Sequence, residues 1–341
     1  MVEVPFNLGY KMPAEWERHD ATWLSWPKDP ETFPDGILQS VEESYANMVM
    51  ALAKGEKVNV LVDDKKMEEA VKSMLGSAMN VIFHRIKSVD VWIRDYGPIF
   101  VKNSKGMVAT KWIFNSWGSK YESLKEDNVT GMKVAGVSEY KIFETGVVLE
   151  GGSIDANGLG TCLTTEQCLL NENRNSKLTK KQIEKKLKDY LGFTNVIWLK
   201  EGIVGDDTGG HVDDIARFVN KNTILCAIEK NPKDENYEIL QTNLEILKDA
   251  GDQDDKGFVI VELPMPRKIE IPERRLPASY ANFYIGNSAV LVPTFDDKND
   301  KKAMGTIGEF FPDRDIIGIS SKDLVYGYGG IHCVTQQQPA I

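Results

Sequence analysis

The sequence predicts an α/β chain organised as a radial repeat of small sheets, each with a helix outside. Three observations carry this. Apolar runs of strand length outnumber helical patterns and spread along the whole chain. Helices do not separate every successive pair of strands, as a doubly wound parallel sheet requires. The number of strands excludes a helix bundle, whereas a radial repeat accommodates many short strands. No clean sequence period is visible, so any repeat has diverged.

The elements follow in order. Residues 13–27 carry Trp16, Trp23 and Trp26, and the end of the run, Ala21 to Trp26, reads as a strand stopped by Pro27. The aromatics read as core. Residues 40–54 form an amphipathic helix on Val41, Tyr45, Met48, Val49 and Leu52, with Ser40 as N-cap, Glu43 three residues on, and Gly55 as the stop. Val58 to Val62 is a strand, and 64–75 a charged helix. Further strands are expected at 81–86, 97–102, 107–114, 147–149, 196–199, 215–219, 223–228, 258–263, 283–292 and 315–319. Further helices are expected at 179–191, opened by Thr179-Lys-Lys-Gln, and at 234–250 and 299–310.

The 341 residues are 42% apolar and 27% charged, an ordinary globular composition with no Pro/Ser/Gly-rich linker. The net charge of −10 argues against a nucleic-acid surface and suits a small cationic ligand. Cys162, Cys168, Cys226 and Cys333 form no C-x-x-C pair of a structural zinc site. The first residues carry no basic and then apolar pattern, so no leader is expected. No apolar run reaches the roughly 18 residues of a membrane span. A cytoplasmic location with reduced thiols is expected.

Four glycine-flanked clusters carry chemical groups. Gly327-Tyr-Gly-Gly-Ile-His-Cys presents Cys333 beside His332 on a turn where glycine permits close backbone approach. Asp90-Val-Trp-Ile-Arg-Asp-Tyr-Gly-Pro holds Trp92, Arg94 and Asp95. Leu149-Glu-Gly-Gly-Ser-Ile-Asp places Glu150 at a strand end. Gly205-Asp-Asp-Thr-Gly-Gly-His-Val-Asp-Asp sets His211 and Asp213 two apart, on one face if the segment is extended. Singly, each has a structural explanation: a surface ion pair for Asp95, a turn bond for Glu150, a solvated role for Asp206, Asp207 and Asp214. Together they admit two chemistries. His211 with aspartates resembles a carboxylate-rich metal set, yet neither His-x-His nor His-Glu-x-x-His is present. Cysteine nucleophilic catalysis with His211 as acid/base is the other. Carboxylates around a thiol raise its pKa, which makes sense where the substrate is a guanidinium that pairs with them.

The clusters belong to a longer series of motifs. Met12-Pro-Ala-Glu-Trp-Glu, Trp92-Ile-Arg-Asp-Tyr-Gly-Pro, Phe114-Asn-Ser-Trp-Gly-Ser-Lys-Tyr and Glu150-Gly-Gly-Ser-Ile-Asp are followed by Leu169-Leu-Asn-Glu-Asn-Arg-Asn, Asp207-Thr-Gly-Gly-His-Val-Asp-Asp and Ile331-His-Cys-Val-Thr-Gln-Gln-Gln-Pro. In this order they closely resemble the agmatine deiminase and bacterial peptidylarginine deiminase family of the pentein superfamily, over nearly the whole chain. Gly330 and Asp214 stand where the family commonly has Asn. The resemblance implies a five-bladed pseudo-symmetric α/β propeller, residues 1–341 forming a single catalytic domain with the site at its centre. It implies hydrolysis of a guanidine to a urea and ammonia. Cys333 would attack the guanidinium carbon and His211 would serve as acid and base. Asp95 and Asp213 would grip the nitrogens, Glu150 would orient substrate or His211, and Trp92 would lie against the guanidinium plane. Trp117 would join the substrate pocket. No metal or organic cofactor is implied, and a homo-oligomer is a family expectation.

Agmatine is the expected substrate, giving N-carbamoylputrescine, with free or peptidyl arginine as the alternative. The loop Glu201 to Gly210 has three acids and no Lys or Arg. Asp206 and Asp207 are therefore candidates for the substrate's ammonium, with turn capping as the competing role. A metal-dependent hydrolase would lose activity to a chelator. A non-catalytic pentein, such as the ribosome-binding initiation factor of this fold, should lack the Cys and His.

Overall fold

The computed structural model describes residues 3–34, 36–272 and 274–341. Four of its sheets follow one rule. Ile99–Asn103 and Gly106–Ile113 form an antiparallel hairpin, the helix Asp127–Val137 crosses over, and Ile142–Val148 returns parallel to the second strand. A parallel return needs a long crossover, which the helix supplies. The same order recurs in Asp155–Ala156, Thr161–Thr165, helix Lys180–Leu191 and Asn195–Leu199. It recurs in Ala216–Asn220, Thr223–Ile228, helix Asn236–Asp249 and Val259–Pro264. It recurs again in Tyr284–Ile285, Ala289–Thr294, helix Asp300–Gly308 and Asp315–Ser320.

The remaining blade joins the two ends of the chain. His19–Ser25 runs parallel to Lys57–Val62 after the helix Leu38–Leu52, and Val81–Arg85 adds a further parallel strand after Lys65–Leu75. The antiparallel partner of His19–Ser25 is Gln336–Pro339, near the C-terminus, with Trp23 opposite Gln336. Five blades of one plan make the α/β propeller that the resemblance implies. Middle strands are covered on both faces; all six residues of Thr223–Ile228 are buried, which is why that strand reads as a continuous apolar run, whereas the middle strand Thr161–Thr165 is buried but polar.

Several expectations needed correction. The helix Asp127–Val137 was not expected, because Gly131 and Gly136 interrupt its pattern. A Cβ at Gly131 would stand 1.8 Å from the Tyr96 carbonyl oxygen, so the glycine lets this helix press on the turn that carries Asp95. The run 283–292 is not one strand but a hairpin that turns at Gly286–Ser288. Thr161–Thr165 and Gln336–Pro339 were missed because they are polar. Ser40 is not an N-cap. The first long helix opens at Leu38, and the Ser40 hydroxyl donates to Asp323. The helix opened by Thr179-Lys-Lys-Gln is present and begins with a capping box, the Thr179 backbone N–H donating to Gln182 Oε1 at 2.8 Å. Trp23 and Trp26 are core, while Trp16 is only partly buried. No helix among the described residues is long and apolar enough to cross a membrane.

Candidate active site

The connections that lead into the blades all carry site residues. The turn Ile93–Tyr96, before the strand Ile99–Asn103, holds Asp95. Glu150 precedes the turn Gly151–Ser153, His211 and Asp213 precede Ala216–Asn220, Asn282 precedes Tyr284, and His332 and Cys333 precede Gln336. Repetition of the blade therefore brings residues about 240 positions apart to one place, as the Arg94 N–H donating to the Cys333 carbonyl at 3.3 Å shows.

Cys333 faces a cavity of about 350 Å³ lined by, among others, Trp92, Asp95, Trp117, Tyr121 and Asp207. Its Sγ lies 3.2 Å from Asn282 Nδ2 and 3.8 Å from Asp213 Oδ2. Burial first, then Asp213, Asp214 and Asp95, push the Cys333 thiol well above the ordinary thiol range. Asn282 also donates to Asp214 Oδ1 at 3.0 Å and accepts from the His332 backbone N–H at 2.8 Å. A Cβ at Gly330 would stand 2.4 Å from Asn282 Oδ1, so the missing side chain there makes room for this asparagine.

His211 sits between Asp95 and Glu150. Its Nδ1 is 3.8 Å from Asp95 Oδ1 and its Nε2 is 4.0 Å from Glu150 Oε2. Neither ring nitrogen has a hydrogen-bond partner among the described residues, and the ring is buried. Burial disfavours its charge, but Asp95, Cys168 and Asp213 outweigh this and hold His211 well above the ordinary imidazole range. Asp95 accepts from the Gly152 N–H at 3.0 Å and from Trp117 Nε1 at 2.9 Å. Burial, opposed by His211 and reinforced by Asp213 and Glu150, raises it to about 6. Gly152 is required here. A Cβ on it would lie 2.7 Å from His211 Nδ1, 2.9 Å from Asp213 Oδ2 and 3.0 Å from Asp95 Oδ1.

Asp213 keeps one oxygen for its neighbours and one without a partner among the described residues. Its Oδ2 is 2.7 Å from His332 Nδ1, while Oδ1 is buried and unpaired. Burial alone would raise this carboxyl; His332, His211 and Arg217 together lower it below the usual range. The other nitrogen of His332 is 2.8 Å from Glu15 Oε2, and Glu15 in turn pairs with Arg217 at 2.9 Å and Arg94 at 3.5 Å. Burial opposes the Glu15 charge, yet Arg217, His332 and Arg94 hold it well below the usual carboxylate range. Arg94 is thus no surface partner of Asp95; buried, it donates to the His332 carbonyl at 3.2 Å and to Gln337 Oε1 at 2.6 Å, and so holds the loop of His332 and Cys333.

Sequence reasoning placed Cys333, His211, Asp213, Asp95, Trp92 and Trp117 together, and the structure brings them together. Glu150 is behind His211 and binds Arg174 Nε at 2.7 Å. Asp206 is a correction. Its carboxylate accepts from the backbone N–H groups of Thr208, Gly210 and His211, at 2.7, 2.9 and 2.8 Å, and it does not line the cavity. It caps the loop that carries His211. Asp207 does line the cavity, but Lys120, Tyr121 and Arg274 surround it, so its charge is already compensated. Glu15, Asn282, Arg174 and Arg217 received no role from the sequence. Glu15 and Arg174 lie inside recognised motifs, which was a usable signal; Asn282 and Arg217 had none.

One metal-like grouping exists among the described residues. Glu150, Cys168 and His211 each offer a ligand atom, all within 4.8 Å of one another. The Arg174 guanidinium on Glu150 sets a positive charge against any cation there, and burial with Glu150 keeps the Cys168 thiol protonated. The set suits a proton-bearing histidine better than a dication.

A family model described as Porphyromonas-type peptidyl-arginine deiminase matches residues 11–339. The chain belongs to that family. A relative from Mycoplasma capricolum, provisionally named an agmatine deiminase, is 37% identical, with 99% of this chain and 98% of that one covered. The structure of the Enterococcus faecalis agmatine deiminase superposes with a TM-score of 0.92 at 33% identity, covering 99% of this chain and 98% of that one. A Cys-to-Ser variant of the C. jejuni agmatine deiminase with substrate bound gives 0.88 at 35% identity, over 97% and 96% of the two chains.

Proposed function

We propose that the protein is a cytoplasmic agmatine deiminase that forms N-carbamoylputrescine and ammonia through a thiouronium on Cys333. One observation carries the reading: Cys333 and Asp95 line one cavity, with Asp213 Oδ2 3.8 Å from the Cys333 sulfur and His211 Nδ1 3.8 Å from Asp95. The free Oδ1 of Asp213 and the remaining lone pairs of Asp95 are acceptors for guanidinium N–H groups. The arriving cation cancels the field that raises the thiol pKa, and the thiol releases its proton to solvent, to regain it once product has left.

The thiolate then attacks the guanidinium carbon. His211, as imidazolium, donates a proton to one nitrogen, which leaves as ammonia, and a cationic thiouronium remains. Neutral His211 next takes a proton from water as the oxygen adds to that carbon. Collapse expels the thiolate and releases the urea; the hydroxyl proton lost in that step converts ammonia to ammonium. The proton transfers use His211, the thiol, the departing ammonia and water, so the scheme calls for no metal or organic cofactor.

The tail of the substrate is argued from the cavity wall. Asp29, Glu31, Asp90, Asp95 and Asp207 line it, and no Lys or Arg does among the described residues. Such a wall favours a dication over an amino acid with an α-carboxylate. The test is ammonia release from agmatine, free arginine and a blocked arginyl peptide in parallel. We expect kcat/KM for agmatine to exceed that for arginine by at least about tenfold, the value of roughly 1.4 kcal/mol of ionic discrimination. Equal efficiency on the blocked peptide overturns the small-molecule assignment.

A further inference from the structure

The mouth of the cavity is tied together by one residue outside the five blades. Arg274 lies on the short hairpin of Glu270–Ile271 with Arg274–Arg275. Its Cζ is 3.2 Å from the centroid of the Tyr328 ring, and its Nη1 is 3.5 Å from Asp207 Oδ1. Asp207 also accepts from the Tyr121 hydroxyl, and its Oδ1 is 3.3 Å from Lys120 Nζ. Tyr121, Asp207 and Tyr328 line the cavity, whereas Arg274 holds them from outside.

Two features show that this arrangement is specified. Tyr328 has φ of +72°, a left-handed backbone that a bulky L-residue adopts at a cost. The tyrosine at that position is therefore explained by its ring and not by its backbone. Burial and Asp207 push the Tyr121 hydroxyl up to about 12, so it remains a donor to that carboxylate. The loops being joined are those of the chemistry. Tyr328 stands five residues before Cys333, and Asp207 four before His211.

We propose that Arg274, acting through Tyr328 and Asp207, determines substrate size: it holds the outer wall closed, so that a slender guanidine enters and arginine within a peptide backbone does not. This rests on the small-guanidine reading above. The guanidinium is planar, so its stacking on the ring is a property that lysine does not reproduce.

The experiment compares kcat/KM for an Nα-acylated arginine amide with that for agmatine. It uses the full chain as wild type, Arg274→Ala, Arg274→Lys and Tyr328→Gly, each checked by near-UV circular dichroism. Glycine adopts the left-handed backbone freely, so Tyr328→Gly removes the ring without adding strain. We expect the amide-to-agmatine ratio to rise on the order of tenfold in all three variants. A ratio within about twofold of wild type in folded Arg274→Ala overturns the role of Arg274. A wild-type ratio retained by Arg274→Lys overturns the stacking. If the wild type deiminates free arginine and not agmatine, the proposed function fails, and the same ratio taken against arginine still tests the closure.

Discussion

The two ends of the cavity are built on opposite principles. At the inner end, Asp95, Asp213, His211 and Cys333 are all at most 4% exposed. Their charges see one another through little water, and their pKa values move accordingly. At the mouth, Lys120 and Arg274 have side chains 36% and 34% exposed, and they pair with Asp207 at 3.3 and 3.5 Å. Exposed pairs of that kind contribute about 0–1 kcal/mol each. Removing one partner from a buried charged set costs about 3–5 kcal/mol, because the other charge is left uncompensated. The inner end can therefore run proton chemistry, and the mouth can only select.

The largest expected effect is at the sulfur. Cys333→Ala should lower kcat by at least about a thousandfold while the thermal melt is nearly unchanged, and His211→Ala by about 10²–10⁴-fold. Steady-state ammonia release with agmatine checks both. Cys162→Ala and Cys226→Ala should retain activity, since both side chains are core. Cys168 does not belong with them, because it touches Glu150 at 3.9 Å behind His211. Turnover in Cys333→Ala within about tenfold of wild type would remove the covalent route.

Gly152→Ala sharpens the inner end. The added methyl would displace His211, Asp213 or Asp95 by some tenths of an ångström. We expect kcat to fall on the order of 10²-fold with little change in the circular dichroism spectrum, as for small misplacements of reacting groups. Activity near wild type would mean that these three side chains are not held in a reacting geometry.

The pH profile separates the ends further. Under the proposed function Asp95 grips substrate only when ionised, and its carboxyl is raised to about 6. As pH falls through 6 the group gains a proton, so kcat/KM should drop tenfold per unit below that value. The limb belongs to the Asp95–His211 set and not to one residue. His211, raised above its ordinary range, remains protonated there and should set the fall on the alkaline side. A kcat/KM profile between about pH 5 and 9 checks it; a flat acid side would contradict a buried Asp95 as the substrate's partner.

The smallest effect is expected at Lys120. Lys120→Ala should change KM for agmatine by less than about fivefold and leave kcat alone, in keeping with a half-exposed ion pair. Initial rates at low and high agmatine measure it. A fall in kcat there would mean that the mouth takes part in the chemistry.

The sequence by itself determined the chemical types and their local settings. The glycines around Cys333, Glu150 and His211 marked turns, and middle strands such as Thr223–Ile228 were apolar runs because both faces are covered. The family resemblance supplied the ring and the roles. What tertiary structure decided was which polar groups are already engaged. Asp206 and Asp207 are neighbours with the same side chain. One is consumed by three backbone N–H groups, and the other faces the cavity with Lys120 and Arg274 beside it. Asn282 and Arg217 gave no local signal, because each acts through partners 50 and 62 residues or more away. A hydrogen bond or an ion pair depends on distance in space, and a propeller whose last strand pairs with its first makes separation along the chain a poor guide to that distance.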